Sequence, residues 1–88
     1  MLEIILTKRY RKDIKKYQYN KKVIDELTYI LTLLQKQEIL PIKYKDHLLM
    51  GKYSGKRECH VMPDTLLIYV VDKQYCLLER IGSHAELF

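Results

Sequence analysis

Between Val23 and Leu34 the apolar residues Val23, Leu27, Ile30 and Leu34 recur at intervals of four, three and four. Ile24 and Leu31 widen the stripe. This spacing predicts an amphipathic helix with one broad face on a core. Ahead of it, Tyr10, Ile14 and Tyr17 fall four and three apart. They predict a first helix over Lys8–Tyr19 with a narrower stripe. Thr7 suits its N-cap, and Asn20 suits a break and the N-cap of the second helix. Leu2–Leu6 is a short apolar run, read as a strand. Lys36–Asp46, punctuated by Pro41, reads as a connection.

From His47 the period changes to that of a strand. His47–Met50 is a short strand, and Lys52–Lys56, holding Ser54-Gly55, a hairpin loop. Arg57–Val61 alternates, with Arg57, Cys59 and Val61 on one face and Glu58 and His60 on the other. Pro63-Asp64 makes a tight turn. Thr65–Val71 is nearly all apolar, as in a strand covered on both faces. Asp72–Gln74 turns the chain into a last strand, Tyr75–Ile81. Ser83 and Glu86 have capping-box spacing, so Ser83–Leu87 predicts one helical turn. The layout β-α-α-β-β-β-β predicts an α+β fold: a mostly antiparallel sheet with two N-terminal helices on one face.

Eighty-eight residues make a single domain, 1–88, with room for one modest core. A hydrophobic content of 48% argues against disorder. No apolar run approaches the roughly 20 residues of a membrane span. The N-terminus lacks the basic-then-apolar pattern of a secretory signal, so a cytoplasmic protein is expected. Cys59 and Cys76 are then read as small buried hydrophobes rather than a disulfide.

Charge is uneven along the chain. Residues 1–46 carry 11 Lys/Arg and 6 Asp/Glu, a net +5, whereas residues 47–88 carry 5 of each. Lys8, Arg9, Arg11, Lys12, Lys15 and Lys16 lie in a run broken by one acid, Asp13. Such density suggests a polyanionic partner, RNA, DNA or an acidic protein segment; the bland alternative is a solvated helix face.

There is no phosphate-binding glycine loop, nucleophile elbow or zinc-spaced cysteine pair. Cys59 and His60 point to opposite faces and cannot ligate one ion, so neither metal nor cofactor is expected. What remains is His47, His60, His84, Asp64, Arg57 and Arg80. Histidine can be acid or base near neutral pH. Metal-free RNA cleavage needs a base for the 2′-OH, an acid for the leaving 5′ oxygen, and a cation for the phosphorane. Two His with Arg would meet those needs. By residue type alone, each His is equally a surface or hydrogen-bonded side chain. Tyr10, Tyr17 and Tyr69 lie on apolar faces and read as core. Tyr53, in the hairpin loop, and the terminal Phe88 are candidate contacts for a base.

The segments YKDHLLMGKY (44–53), KRECHVMPDTLLIY (56–69) and LERIGSHAELF (78–88) closely resemble YafQ-type toxins of the RelE/ParE superfamily of bacterial toxin–antitoxin systems. The resemblance implies a small RelE-like mixed sheet with two N-terminal helices. It implies ribosome-dependent, metal-independent endoribonuclease activity on translated mRNA. Carried over residue by residue, it implies a catalytic set of His47, His60, Asp64 and His84, with Arg80 on the phosphate. His84 would be the general acid, and His47, His60 or Asp64 the base. Arg57, Tyr53 and Phe88 would contact substrate, and Lys8, Arg9, Arg11, Lys12, Lys15 and Lys16 ribosomal RNA. A cognate antitoxin is the implied protein partner, with no membrane role. Thr65 stands where some members carry an aromatic, and Tyr53 where some carry Trp. Two alternatives are a gyrase-inhibiting ParE-like toxin and an inactive RNA- or protein-binding domain of the same fold.

Overall fold

A five-stranded sheet of order β1–β5–β4–β3–β2 organises the protein, seen in a computed structural model that describes all 88 residues. The strands are β1 (Glu3–Leu6), β2 (His47–Leu48), β3 (Arg57–Met62), β4 (Thr65–Val71) and β5 (Tyr75–Gly82). The helices are α1 (Lys8–Ile14), α2 (Lys21–Gln35) and a C-terminal turn, α3 (His84–Leu87). β1 runs parallel to β5, and every other pairing is antiparallel. The first helix is shorter than the spacing suggests, because Lys15–Tyr17 tightens into a 3-10 turn. Tyr17 still reaches the core.

The capping signals act as physical stops. The Thr7 hydroxyl accepts from Tyr10 N at 3.0 Å, and Asn20 Oδ1 from Val23 N at 3.2 Å. The Thr7 hydroxyl also donates to the Leu78 and Glu79 carbonyls at 2.9 Å, which ties the start of α1 to β5. Ser83 and Glu86 form a reciprocal capping box.

β4 is central, which is why its sequence is apolar on both sides. Leu67 and Tyr69 join the main core with Val23, Leu27, Ile30 and Leu34 of α2. Leu66 and Ile68 face the other way, into a smaller core with Leu49, Tyr53 and Leu87. Burying a side chain such as Ile30 or Leu67 is worth about 1.5–3 kcal/mol.

One irregularity matters for the site. In β5, Leu78 lies opposite Tyr69 and Arg80 opposite Ile68, so Glu79 is an extra residue. Simple alternation would put Arg80 on the helix-covered face with Leu78. The bulge re-aims it to the opposite face.

Candidate active site

The sheet face away from α1 and α2 carries two cross-strand rows. The register aligns His47, Glu58, Ile68 and Arg80 in one row, and His60, Leu66 and Gly82 in the next. Leu66 and Ile68 are the apolar floor. His47, Glu58 and His60 stand on one side of it. On the other, β5 ends at Gly82 and His84, after the Ser83 cap, opens α3. His60 and Gly82 are two strand spacings apart, roughly 10 Å.

Glu58 is the residue that sequence reading missed. It is only 5% exposed, and its Oε2 has no hydrogen-bond partner. Its Oε1 lies 3.5 Å from His47 Nε2 and 3.6 Å from His60 Nε2. The two imidazole centroids are 6.3 Å apart. Glu58 therefore sits between both rings. The alternation of β3 already put it on the face of His60; what the sequence lacked was the β2–β3 register that brings His47 opposite.

The His47 tautomer follows from its backbone contact. Nδ1 lies 2.7 Å from the Lys45 carbonyl, which can only accept, so Nδ1 carries the proton. In the neutral ring, Nε2 then has a free lone pair. Protonation there creates an imidazolium directly facing the Glu58 carboxylate.

Across the floor, His84 is held through its backbone. Asp64 Oδ1 accepts from His84 N at 3.2 Å. The His84 ring stacks on Phe88, with centroids 5.0 Å apart and planes 25° from parallel. Phe88 in turn meets Tyr53 edge-on at 5.4 Å. Glu86 receives Ser83 N at 2.8 Å and Lys16 Nζ at 2.7 Å. Those hydrogen bonds, Lys16 first, hold the Glu86 carboxyl down to about 2. Gly82 makes room for this turn: a Cβ there would lie 3.1 Å from Glu86 Oε1 and 3.3 Å from Leu87 Cδ2.

Several expected site residues sit differently from the sequence reading. Tyr53 is not an exposed loop aromatic. Its ring is 4% exposed, and its hydroxyl donates to the Leu87 carbonyl at 3.2 Å. Arg57 lies on the helix side of β3, opposite to His60. It pairs with Asp46 through Nη2 at 2.9 Å, and Tyr69 also donates to Asp46. The alternation that separates Arg57 from His60 requires this placement. Arg80 does belong to the site face. Its guanidinium is gripped by Asp13 of α1, with Nε–Oδ2 at 2.7 Å and Nη2–Oδ1 at 3.1 Å. Asp13 occupies the stretch of β5 edge beyond β1, where it also accepts from Ile81 N at 3.1 Å.

Lys8, Arg9, Arg11, Lys12, Lys15 and Lys16 are all solvent-exposed. Cys59 and Cys76 are buried free thiols. Burial pushes the Cys59 thiol well up and that of Cys76 to about 11, so both stay protonated at neutral pH. No helix is long and apolar enough to cross a membrane.

A family model described as "Bacterial toxin of type II toxin-antitoxin system, YafQ" matches residues 2–88. The mRNA interferase toxin YafQ of Escherichia coli K12 is 43% identical over 81 residues, covering 91% of this chain and 88% of that protein. Among solved structures, a metal-bound toxin from Helicobacter pylori superposes with a TM-score of 0.90 at 41% identity, over the whole of both chains. The E. coli DinJ–YafQ complex gives 0.86 at 38% identity, over 100% of this chain and 99% of that one. The match from Leu2 to Phe88 takes in the whole sheet face that carries His47, Glu58, His60 and His84, and with it the chain belongs to the YafQ family of type II toxin–antitoxin toxins.

Proposed function

We propose that this protein is a ribosome-dependent endoribonuclease that cleaves translated mRNA by proton transfer between histidines, with no metal required. The observation that carries the reading is the buried Glu58 carboxylate between His47 and His60. Its E. coli relative is an mRNA interferase, which gives the substrate class.

His47, with its proton fixed on Nδ1, takes the 2′-OH proton at Nε2. Glu58 stabilises the imidazolium that results, because a full negative charge in a water-poor site acts strongly on its neighbour. His60 shares the same carboxylate and can substitute as base. The 2′ oxygen attacks phosphorus, and the bond to the 5′ oxygen breaks. His84, protonated, gives its proton to that leaving oxygen. Asp64 is given the role of positioning His84, because its Oδ1 accepts from the His84 amide. Phe88, half exposed and stacked on His84, offers a face for a nucleobase. Arg80 remains the nearest candidate to neutralise the phosphorane, steadied by Asp13.

The basic face of α1 docks on ribosomal RNA, so the protein works in the cytoplasm, where ribosomes are. Its protein partner is a cognate antitoxin, as DinJ is for the E. coli toxin. Primer extension on cellular mRNA after induced expression tests the reading. Discrete cuts inside translated codons are expected. Intact mRNA with blocked DNA supercoiling would replace it with gyrase inhibition. Intact mRNA on toxin-loaded ribosomes would mean an inactive binding domain.

A further inference from the structure

The site face ends at the edge of β3. β2 pairs only with Arg57 and Glu58, so beyond them that edge has no neighbouring strand. A groove of about 370 Å³ runs alongside it, from His60 past Met62 to Pro63. Lys22 and Glu26 of α2, Lys43, Tyr44 and Lys45, and Val61 also line it.

The groove is cationic in excess of its internal pairing. Glu26 is its one acid, and that carboxylate is already engaged by the Tyr44 hydroxyl and by Lys43 Nζ at 3.7 Å. Lys22 and Lys45 are exposed and outside every ion pair of the protein. Lys45 adopts a left-handed backbone, φ 50°, at the residue whose carbonyl orients His47. A non-glycine residue held there is uncommon and strained. One residue thus sets the His47 tautomer and places an ammonium on the groove wall.

We propose that this groove is a phosphate subsite for the substrate RNA itself, holding backbone phosphates on the His60 side of the scissile bond. This deepens the endoribonuclease reading and rests on it. A strand whose scissile phosphate lies between His60 and His84 must leave the floor on one side past His60, where the groove begins. The free ammonium groups of Lys22 and Lys45 favour phosphates. Neutralising these contacts weakens productive binding, while the histidines and their chemistry stay in place.

The test combines a Lys22→Gln/Lys43→Gln/Lys45→Gln variant with mRNAs carrying one uncharged methylphosphonate within two nucleotides of the cut. Cleavage is followed on programmed ribosomes. All three lysines are exposed, so folding should persist. A Lys22→Gln variant, which spares the Glu26 pair and the Lys45 residue that orients His47, repeats the test if the triple variant melts early. The wild type should lose about tenfold in kcat/KM with a neutral phosphate on one side only, at unchanged kcat. The variant should show the same loss on native mRNA and no further loss on the modified one. Unchanged kcat/KM in the variant, or a wild type indifferent to flanking phosphates, overturns the proposal. Weaker binding to ribosomes without mRNA would assign the groove to ribosomal RNA, and a defect confined to antitoxin binding would assign it to protein; either overturns it. A wild type that leaves all mRNA intact overturns the endoribonuclease reading and this subsite with it.

Discussion

Asp64 accepts a hydrogen bond from the backbone amide of His84 at 3.2 Å, fastening the β3–β4 turn to the C-terminal turn. The contact joins residues 20 apart in sequence. In the proposed mechanism Asp64 is a positioning residue. Asn keeps an acceptor oxygen of the same reach, and Ala does not. Asp64→Asn should therefore retain cleavage within a few-fold, whereas Asp64→Ala should lower kcat about tenfold with ribosome affinity unchanged. Single-turnover cleavage of the pair checks this. A collapse of activity in the Asn variant would make Asp64 the base.

Glu58 is predicted to trade stability for activity. A buried carboxylate with an unpartnered oxygen is costly to fold, and an amide is cheaper to bury. Glu58→Gln should raise the melting temperature while slowing cleavage by roughly 10²-fold, within the range for damaging a general base. Calorimetry and cleavage rates on the same preparation test both directions. A less stable but fully active variant would contradict the role given to Glu58.

Lys16 and Glu86 make the C-terminal turn acid-sensitive. The folded Glu86 carboxyl titrates near 2, below its ordinary value of 4.5. As pH falls, the unfolded chain takes up this proton first. The contribution to stability is therefore full above about pH 4.5 and is lost as pH falls toward 2. Both partners are exposed, so the effect is local. The NMR amide shift of Ser83, which donates to Glu86, should follow this titration, and Glu86→Gln should abolish the step. A titration of that amide unchanged in the variant would rule the linkage out.

The layout was legible because local signals agreed with tertiary demand. The period of Val23–Leu34, the Thr7 and Asn20 caps and the Ser83–Glu86 box each act within a few residues, and each is realised. What was hidden depends on register. The Glu79 bulge shows only in the pairing of β5 with β4, and it is what brings Arg80 to the site face. The Glu58 contact with His47 needs the β2 register, set by only two residues of strand. Tyr53 misled because a loop position suggested exposure, while the second small core buries its ring. The alternation along β3 placed Arg57 on the face opposite His60, and the structure has it there, paired with Asp46.

The basic face of α1 and of the 3-10 turn that follows it should set the salt dependence of ribosome binding. Lys12 and Lys15 are exposed and form no ion pair, unlike Lys16. Lys12→Gln/Lys15→Gln should weaken affinity and make the log–log salt plot shallower, because two fewer phosphates are neutralised. An unaltered slope would move the ribosome contact elsewhere.

The central claim is that His84 protonates the leaving 5′ oxygen, and a bridging 5′-thio substitution at the scissile bond addresses it most directly. Sulfur leaves without needing a proton. His84→Ala should cleave ordinary mRNA roughly 10²–10⁴-fold more slowly than wild type on saturated ribosomes. On the 5′-thio mRNA, most of that deficit should vanish. An equal deficit on both substrates, or no deficit on either, would contradict the account.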